Sequence, residues 1–303
     1  MTSTKIEPNL EKSTLGKSKQ SSATIRLIGD RASGKTTYMA SLAYWPNASA
    51  NSLIQQVIPV NDESIELVEK ARNILEQGLS LEPTQLNSDA DELTDYTLSL
   101  KLQDPSRTFG FGKKQLTLNI SCKDYPGEFF SDLLHRNSQD GQLRSYLDDC
   151  LQAQGILLLL DGLANRKDAE YAAGLETFFR LMDQSEIDLK KRRIAFTLCK
   201  CEQAELWVNH HDPFFLASSR FPKTFQALQE WERIGAGSFS CFTTSAFGML
   251  GNNFPRPNST TVKRQRDGVA SIIKDPERWK PFGLFAPVYW LCTGNQSKAL
   301  LKE

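Results

Sequence analysis

Thr24-Ile25-Arg26-Leu27-Ile28-Gly29-Asp30-Arg31-Ala32-Ser33-Gly34-Lys35-Thr36-Thr37 is the stretch that decides the fold. Its first five residues form a short β-type run, and residues 29–36 fit G-x-x-x-x-G-K-[ST] in full. Tyr38, Met39, Leu42 and Ala43 then carry a helical pattern that stops before Pro46. Strand, glycine loop and helix in that order make an anion cradle. Glycine lets the loop turn its N–H groups inward, and the helix offers its positive end to the same anion. The pattern predicts that Gly29, Asp30, Arg31, Ala32, Ser33, Gly34, Lys35, Thr36 and Thr37 surround the phosphates of a nucleotide. Lys35 would reach the β- and γ-phosphates, and the Thr36 hydroxyl would bind Mg²⁺. The loop alone does not choose between GTP and another triphosphate.

Outward from this stretch, strands alternate with helices. Leu98, Leu100 and Leu102 alternate with polar residues, as do Leu116, Leu118, Ile120 and Cys122, which predicts a hairpin with one wet face around Pro105, Gly110 and Gly112. Ile156 to Leu160 is apolar without alternation, as a central parallel strand covered on both faces would be. Ile194–Leu198 and Phe239–Thr243 are weaker examples. Helical spacing marks Asp62–Gln77 (Ile65, Val68, Ala71 and Leu75, with Gly78 as cap), Tyr171 to Met182, and Phe225 to Trp231 with Pro222 near its start. The expected architecture is α/β: a mostly parallel sheet of about six strands, one of them antiparallel, with helices on both faces. Residues 1–22 read as a disordered polar tail. Residues 23–303 read as one domain, with insertions at about 47–96, including the polar loop Asn87–Glu92, and at about 249–280.

The second chemical motif is Asp124-Tyr125-Pro126-Gly127-Glu128, at the end of the second hairpin strand. An Asp there can hold Mg²⁺, and Gly127 lets its N–H approach a terminal phosphate. By itself this is also a good β-turn sequence. Joined to the phosphate loop, the order resembles that of Ras-like (translation-factor class) P-loop GTPases. It looks closest to a bacterial branch of GTPase-like domains encoded in multi-gene conflict or signalling systems, whose final Trp-containing helix is matched by Pro281 to Leu291. Most of that last element's apolar residues also read as core.

That resemblance implies more. Cys199-Lys200-Cys201-Glu202 stands where such GTPases carry [NT]-K-x-D, so Lys200 and Glu202 are the expected readers of the base, with Glu one methylene longer than the usual Asp. Thr244-Ser245-Ala246 matches the Ser-Ala motif whose backbone N–H contacts guanine O6, which makes Ser245 and Ala246 expected contacts. Pro83-Thr84 supplies the γ-phosphate-sensing Thr and third metal ligand beside Thr36 and Asp124; Thr94 and Thr97 are its rivals. Glu128 occupies the place of the water-orienting Gln. With Lys35 and Gly127 it forms the expected catalytic set, and its charge would repel the γ-phosphate and slow hydrolysis. Arg31 could act in cis or point to solvent; Arg107 belongs to no motif.

The implied function is a GTP-binding switch with slow Mg²⁺-dependent hydrolysis, ATP being the less expected substrate. An ATP-hydrolysing P-loop enzyme and a non-hydrolysing nucleotide-gated interaction module are the alternatives. Composition bounds the rest. Lys and Arg number 36 against 36 Asp and Glu, which argues against a nucleic-acid partner recruited by bulk charge. No apolar run approaches membrane-spanning length, and the first residues lack the apolar core of a secretory signal. Six cysteines in 303 residues are too few for a disulfide scaffold, so a cytoplasmic location is expected. Cys199 and Cys201 lack a second Cys/His pair at zinc spacing. His135, His210 and His211 form no triad, and Lys263, Arg264 and Arg266 read as a solvated loop. The expected partners are protein effectors encoded nearby, with no integral membrane association.

Overall fold

The computed structural model describes residues 19–45, 52–77, 94–105, 115–125, 127, 133, 141–183, 192–251, 256–264 and 268–302. Calls on Gly78, Thr84, residues 87–92, Arg107, Gly110, Gly112, Glu128, His135 and Arg266 lie outside these residues, as do residues 1–18.

Seven strands form the main sheet: β1 (Lys19–Ile28), β2 (Ile54–Pro59), β3 (Asp95–Gln103), β4 (Gln115–Asp124), β5 (Gly155–Asp161), β6 (Arg192–Cys199) and β7 (Gly237–Thr243). Their order across the sheet is β2-β3-β4-β1-β5-β6-β7. Both pairings of β3 are antiparallel and every other pairing is parallel, so β3 alone runs against the rest. Seven strands agree with the expected sheet of about six, the further strand being β2, an edge strand inside the segment 47–96. Its Ile54 is buried, but the rest of the strand is half-wet and its pairing with β3 is bulged, which leaves little period to read. β1 begins at Lys19, before the expected boundary at residue 23, because Lys19 to Ser22 pair with Leu116 to Asn119 of β4. Backbone pairing there overrides a polar composition.

The helices are α1 (Lys35–Ala43), α2 (Asp62–Gln77), α3 (Gly141–Gln152), α4 (Asp168–Asp183), α5 (Ala204–Trp207), α6 (Pro213–Arg220), α7 (Pro222–Arg233) and α8 (Phe285–Thr293). Period-two alternation in the strands assigns them to two layers. Ile25 and Leu27 of β1, Leu157 and Leu159 of β5, and Ala195 of β6 face α1, α2 and α8. Ile28, Ile156, Leu158, Leu160, Ile194, Phe196 and Leu198 face α3, α4 and α7. β5 is therefore covered on both sides, whereas β3 and β4 bury one face only. In α2 the buried stripe is Ser64, Leu67, Ala71 and Leu75, while Ile65 is 46% exposed. Ala71 and Leu75 lie in the stripe as expected and Val68 packs half-buried beside it, but Ser64 and Leu67 take the place expected for Ile65, an apolar residue beside the true face that disguises its phase.

The late insertion at 249–280 is not simply a surface loop. It folds into a hairpin of β8 (Ser259–Arg264) and β9 (Gly268–Ile273), and Ile273 and Trp279 join the core under α1 and α2. Trp279 stacks on Tyr44, and its indole N–H donates to the Ala246 carbonyl at 2.7 Å. α8 is buried along its length, from Phe285 to Leu291, as the core reading of those residues requires. No helix among the described residues is long and apolar enough to cross a membrane.

Candidate functional site

Parallel pairing builds the site. Leu27 of β1 lies level with Asp124 of β4, and Ile28 lies level with Leu158 of β5. The chain leaves β1 at Gly29, between β4, which ends at Asp124, and β5, which runs on to Asp161, so residues 29–34 cross the carboxyl edge of the sheet. Ligands of open α/β sheets bind at this edge. Gly34 caps α1 with φ 92°, a left-handed conformation that a side chain would strain. α1 then starts with its N-terminus at the loop.

Lys35 is buried and folds back under the loop, its ammonium donating to the Gly29 carbonyl at 3.1 Å and the Asp30 carbonyl at 3.2 Å. The Thr36 hydroxyl donates to Asp124 Oδ2 at 2.9 Å, so the two expected metal ligands meet although 88 residues separate them in sequence. Asp124 is fully buried. Both groups are hard oxygen donors beside a loop of backbone N–H groups, a set that suits Mg²⁺, which takes few protein ligands and keeps several waters. The Ser33 hydroxyl is buried in the loop with no hydrogen-bond partner among the described residues.

Gly127 lies directly on the phosphate loop. A Cβ at this position would fall 2.3 Å from Arg31 Cα and 2.5 Å from Arg31 N, and neither backbone atom can yield without moving the loop. Arg31 itself is exposed, and its N–H donates to Asp30 Oδ1 at 2.7 Å. Asp30 Oδ2 accepts from Lys167 at 2.5 Å and from the Tyr171 hydroxyl at 2.9 Å. Asp30 is thus tied sideways to the turn before α4 and to α4 itself. The Lys167 ammonium is held above its ordinary range by this bond to Asp30. No pattern in the sequence links Asp30 to residues 137 and 141 positions away.

On the base side, Lys200 sits at φ 62° after β6. Its ammonium donates to Asp161 Oδ2 at 2.6 Å and to the Ala32 carbonyl at 3.1 Å, pinning the turn to both β5 and the phosphate loop. Burial opposes the charge on Lys200, but Cys199 and Asp161 beside it outweigh burial and raise its pKa. Asp161 was missed, although an acid directly after the apolar run Ile156–Leu160 is a visible strand-end signal. The Cys199 thiol donates to the Ser33 carbonyl at 2.6 Å, so the Cys that replaces Asn or Thr still braces the loop. Glu202 is 2% exposed; burial raises its pKa, against the lowering effect of the hydrogen-bonded Ser245 hydroxyl. Glu202 is enclosed by other elements, whereas the Lys200 side chain is 31% exposed. The Cys201 N–H donates to the Thr244 carbonyl at 3.1 Å, joining the two base-side loops.

Two expectations change. The Ser245 N–H donates to the Phe282 carbonyl at 3.0 Å, so the amide of Ser245 is committed to the α8 approach rather than to a ligand. That leaves Ala246 as the residue of the pair not engaged through this bridge. Thr97 is fixed within β3, where it pairs with Ser121 and its N–H is held by Asn61 Oδ1 at 3.1 Å and Ser64 Oγ at 2.8 Å, which removes it as a sensor. Thr94 lies beside the site, its carbonyl accepting from the Asp124 N–H at 3.3 Å. His210 stacks on Trp207 with ring centroids 3.9 Å apart and His211 meets it edge-on, so both belong to packing around α5.

A phosphate loop on the carboxyl edge of a mostly parallel sheet, facing an Asp-x-x-Gly strand end, defines a Ras-like P-loop GTPase fold. The chain matches the model of the Double-GTPase 1 family over residues 26–193, more than half its length, and belongs to that family. Among solved structures it is similar to the small COPII coat GTPase SAR1 of Encephalitozoon cuniculi in complex with GDP, at 14% identity, covering 75% of this chain and 70% of that one, with a TM-score of 0.31. It is also similar to a bacterial selenocysteine-specific elongation factor (12% identity, 74% and 25% covered, TM-score 0.30). A third is the Saccharomyces cerevisiae Ski7 GTPase-like domain bound to GDP and inorganic phosphate (12% identity, 79% and 48% covered, TM-score 0.35). The chain thus spans a quarter of the elongation factor and about half of the Ski7 chain. No curated protein matches it.

Proposed function

We propose that this chain is a guanine-nucleotide switch that binds GTP with Mg²⁺ on residues 29–37, hydrolyses it slowly and passes its state to a protein effector. The single observation that carries this reading is the 2.9 Å contact of Thr36 with Asp124 across the mouth of a loop that already holds the Lys35 ammonium. Thr36 and Asp124 would hold the ion, which neutralises charge at the β–γ bridge when bound. The remaining work is positioning. Lys35 supplies a fixed positive charge, and the loop amides supply donors that need no reorganisation. Gly127, pressed against Arg31, keeps the second loop close enough for its N–H to meet a terminal phosphate. Glu128 follows it directly in sequence, and a carboxylate there supports slow hydrolysis by repelling the γ-phosphate.

Competition of GTP against ATP for the purified, nucleotide-free chain tests the base; tighter ATP binding would replace GTP as the ligand. Single-turnover hydrolysis with bound GTP tests the chemistry, and GTP intact for hours would favour a nucleotide-gated module that does not hydrolyse.

Gly127→Ala is expected to lower the hydrolysis rate by about a hundredfold, because the clash with Arg31 must move the two loops apart by roughly an ångström. Bound GTP and the melting temperature should change much less. A rate within twofold of the parent would mean that the contact of Gly127 with the loop has no part in the reaction.

A further inference from the structure

The position that reads the base carries Glu202, and its surroundings differ from those of a solvated carboxylate. It is 2% exposed, and its Oε2 has no hydrogen-bond partner among the described residues, while Gln203 donates to Oε1 at 3.4 Å. The groups facing it are Lys200, Cys199 and Cys201 from its own turn, and the Ser245 hydroxyl from the loop after β7. Lys200, the one cation among these, already spends its ammonium on Asp161 and Ala32. A buried carboxyl oxygen with no partner is costly unless a ligand donor meets it.

Resting on the guanine-nucleotide reading above, we propose that Glu202 selects the purine through its protonation state, favouring a 2-amino purine only when ionised. An ionised carboxylate presents two acceptors, which match the N1–H and 2-amino donors of guanine. A neutral carboxyl presents one acceptor and one donor. It can still accept from N1–H, but its hydroxyl then opposes the 2-amino group. Hypoxanthine has the N1–H and lacks the 2-amino group, so its binding depends less on this proton. Burial favours the neutral form and raises the pH at which this carboxyl changes charge.

The test is the ratio of GTP to ITP affinity, measured on the full chain with Mg²⁺ at about pH 8 and about pH 5. Titration of the terminal phosphate is common to both nucleotides and cancels in the ratio. The expected ratio is roughly tenfold to a hundredfold at the higher pH, the worth of one charge-assisted hydrogen bond. It should fall as pH is lowered through the raised carboxyl pKa, and Glu202→Gln should hold it low at both, since an amide also presents one acceptor and one donor. Tight GTP binding with a ratio that does not change with pH would overturn the assignment and leave the guanine-nucleotide reading standing. The same pH dependence surviving in Glu202→Gln would also overturn it, because another group would then be titrating. Absence of triphosphate binding at both pH values, or binding unaffected by Lys35→Ala, would overturn the reading on which it rests.

Discussion

Replacing Lys35 by Ala is expected to weaken triphosphate binding by at least about a hundredfold in a direct titration with GTP. The ammonium is buried and donates to two carbonyls of its own loop, Gly29 and Asp30, at 3.1 and 3.2 Å. A phosphate ester is a far stronger partner for a cation than a carbonyl. The variant also loses the two carbonyl contacts, so thermal melting must be followed beside binding. A small change in melting temperature with affinity lost would separate the ligand contribution from the structural one. Unchanged affinity would show that residues 29–36 are not a phosphate cradle, and the reading of Thr36 and Asp124 would go with it.

Asp149→Ala should be the most destabilising single change outside the loop, costing about 3 kcal/mol or more. Asp149, on α3, receives Nε–H and Nη2–H of the Arg26 guanidinium at 2.7 Å each, the Tyr125 hydroxyl at 2.6 Å and the Lys123 ammonium at 3.4 Å. The side chains of Arg26 and Asp149 are only 7% and 14% exposed, so screening by water is small. Removing the carboxylate would leave a buried guanidinium without its counter-charge. For a chain of 303 residues the melting temperature should fall by roughly 5 °C. Burial disfavours the Asp149 charge, but the bonds from Arg26 and Tyr125 outweigh it, and its pKa lies below the ordinary 3.8. Its contribution is therefore complete above pH 3.8 and is lost as pH falls through the lower folded value. Parent and variant should converge in stability in strong acid. Equal melting temperatures at neutral pH would mean that the ion pair contributes nothing. Tyr125 directly follows Asp124, so the same variant should also shift the Mg²⁺ concentration needed for nucleotide binding.

Local signals made much of this molecule readable. The glycines and Lys35 of the loop are fixed by their own backbone needs, the Asp124 turn closes a strand of clear alternation, and Ile156–Leu160 can only be a strand buried on both faces. The elements that escaped notice have weak local patterns: β2, whose mixed surface hides its period, and the β8–β9 hairpin, whose polar residues read as loop. The phase of α2 was obscured by one exposed apolar side chain, Ile65.

Sequence by itself determined the class of fold, the position of the phosphate loop and the likeness of the later motifs to those of GTPases. These depend on backbone conformation and period, properties that neighbouring residues carry in their own chemistry. Only the tertiary structure decided which distant groups meet. Asp30 against Lys167 and Tyr171, Asp161 against Lys200, and the enclosed carboxyl of Glu202 all depend on strand order and register. Those are set by the burial of whole faces, a quantity no local stretch contains.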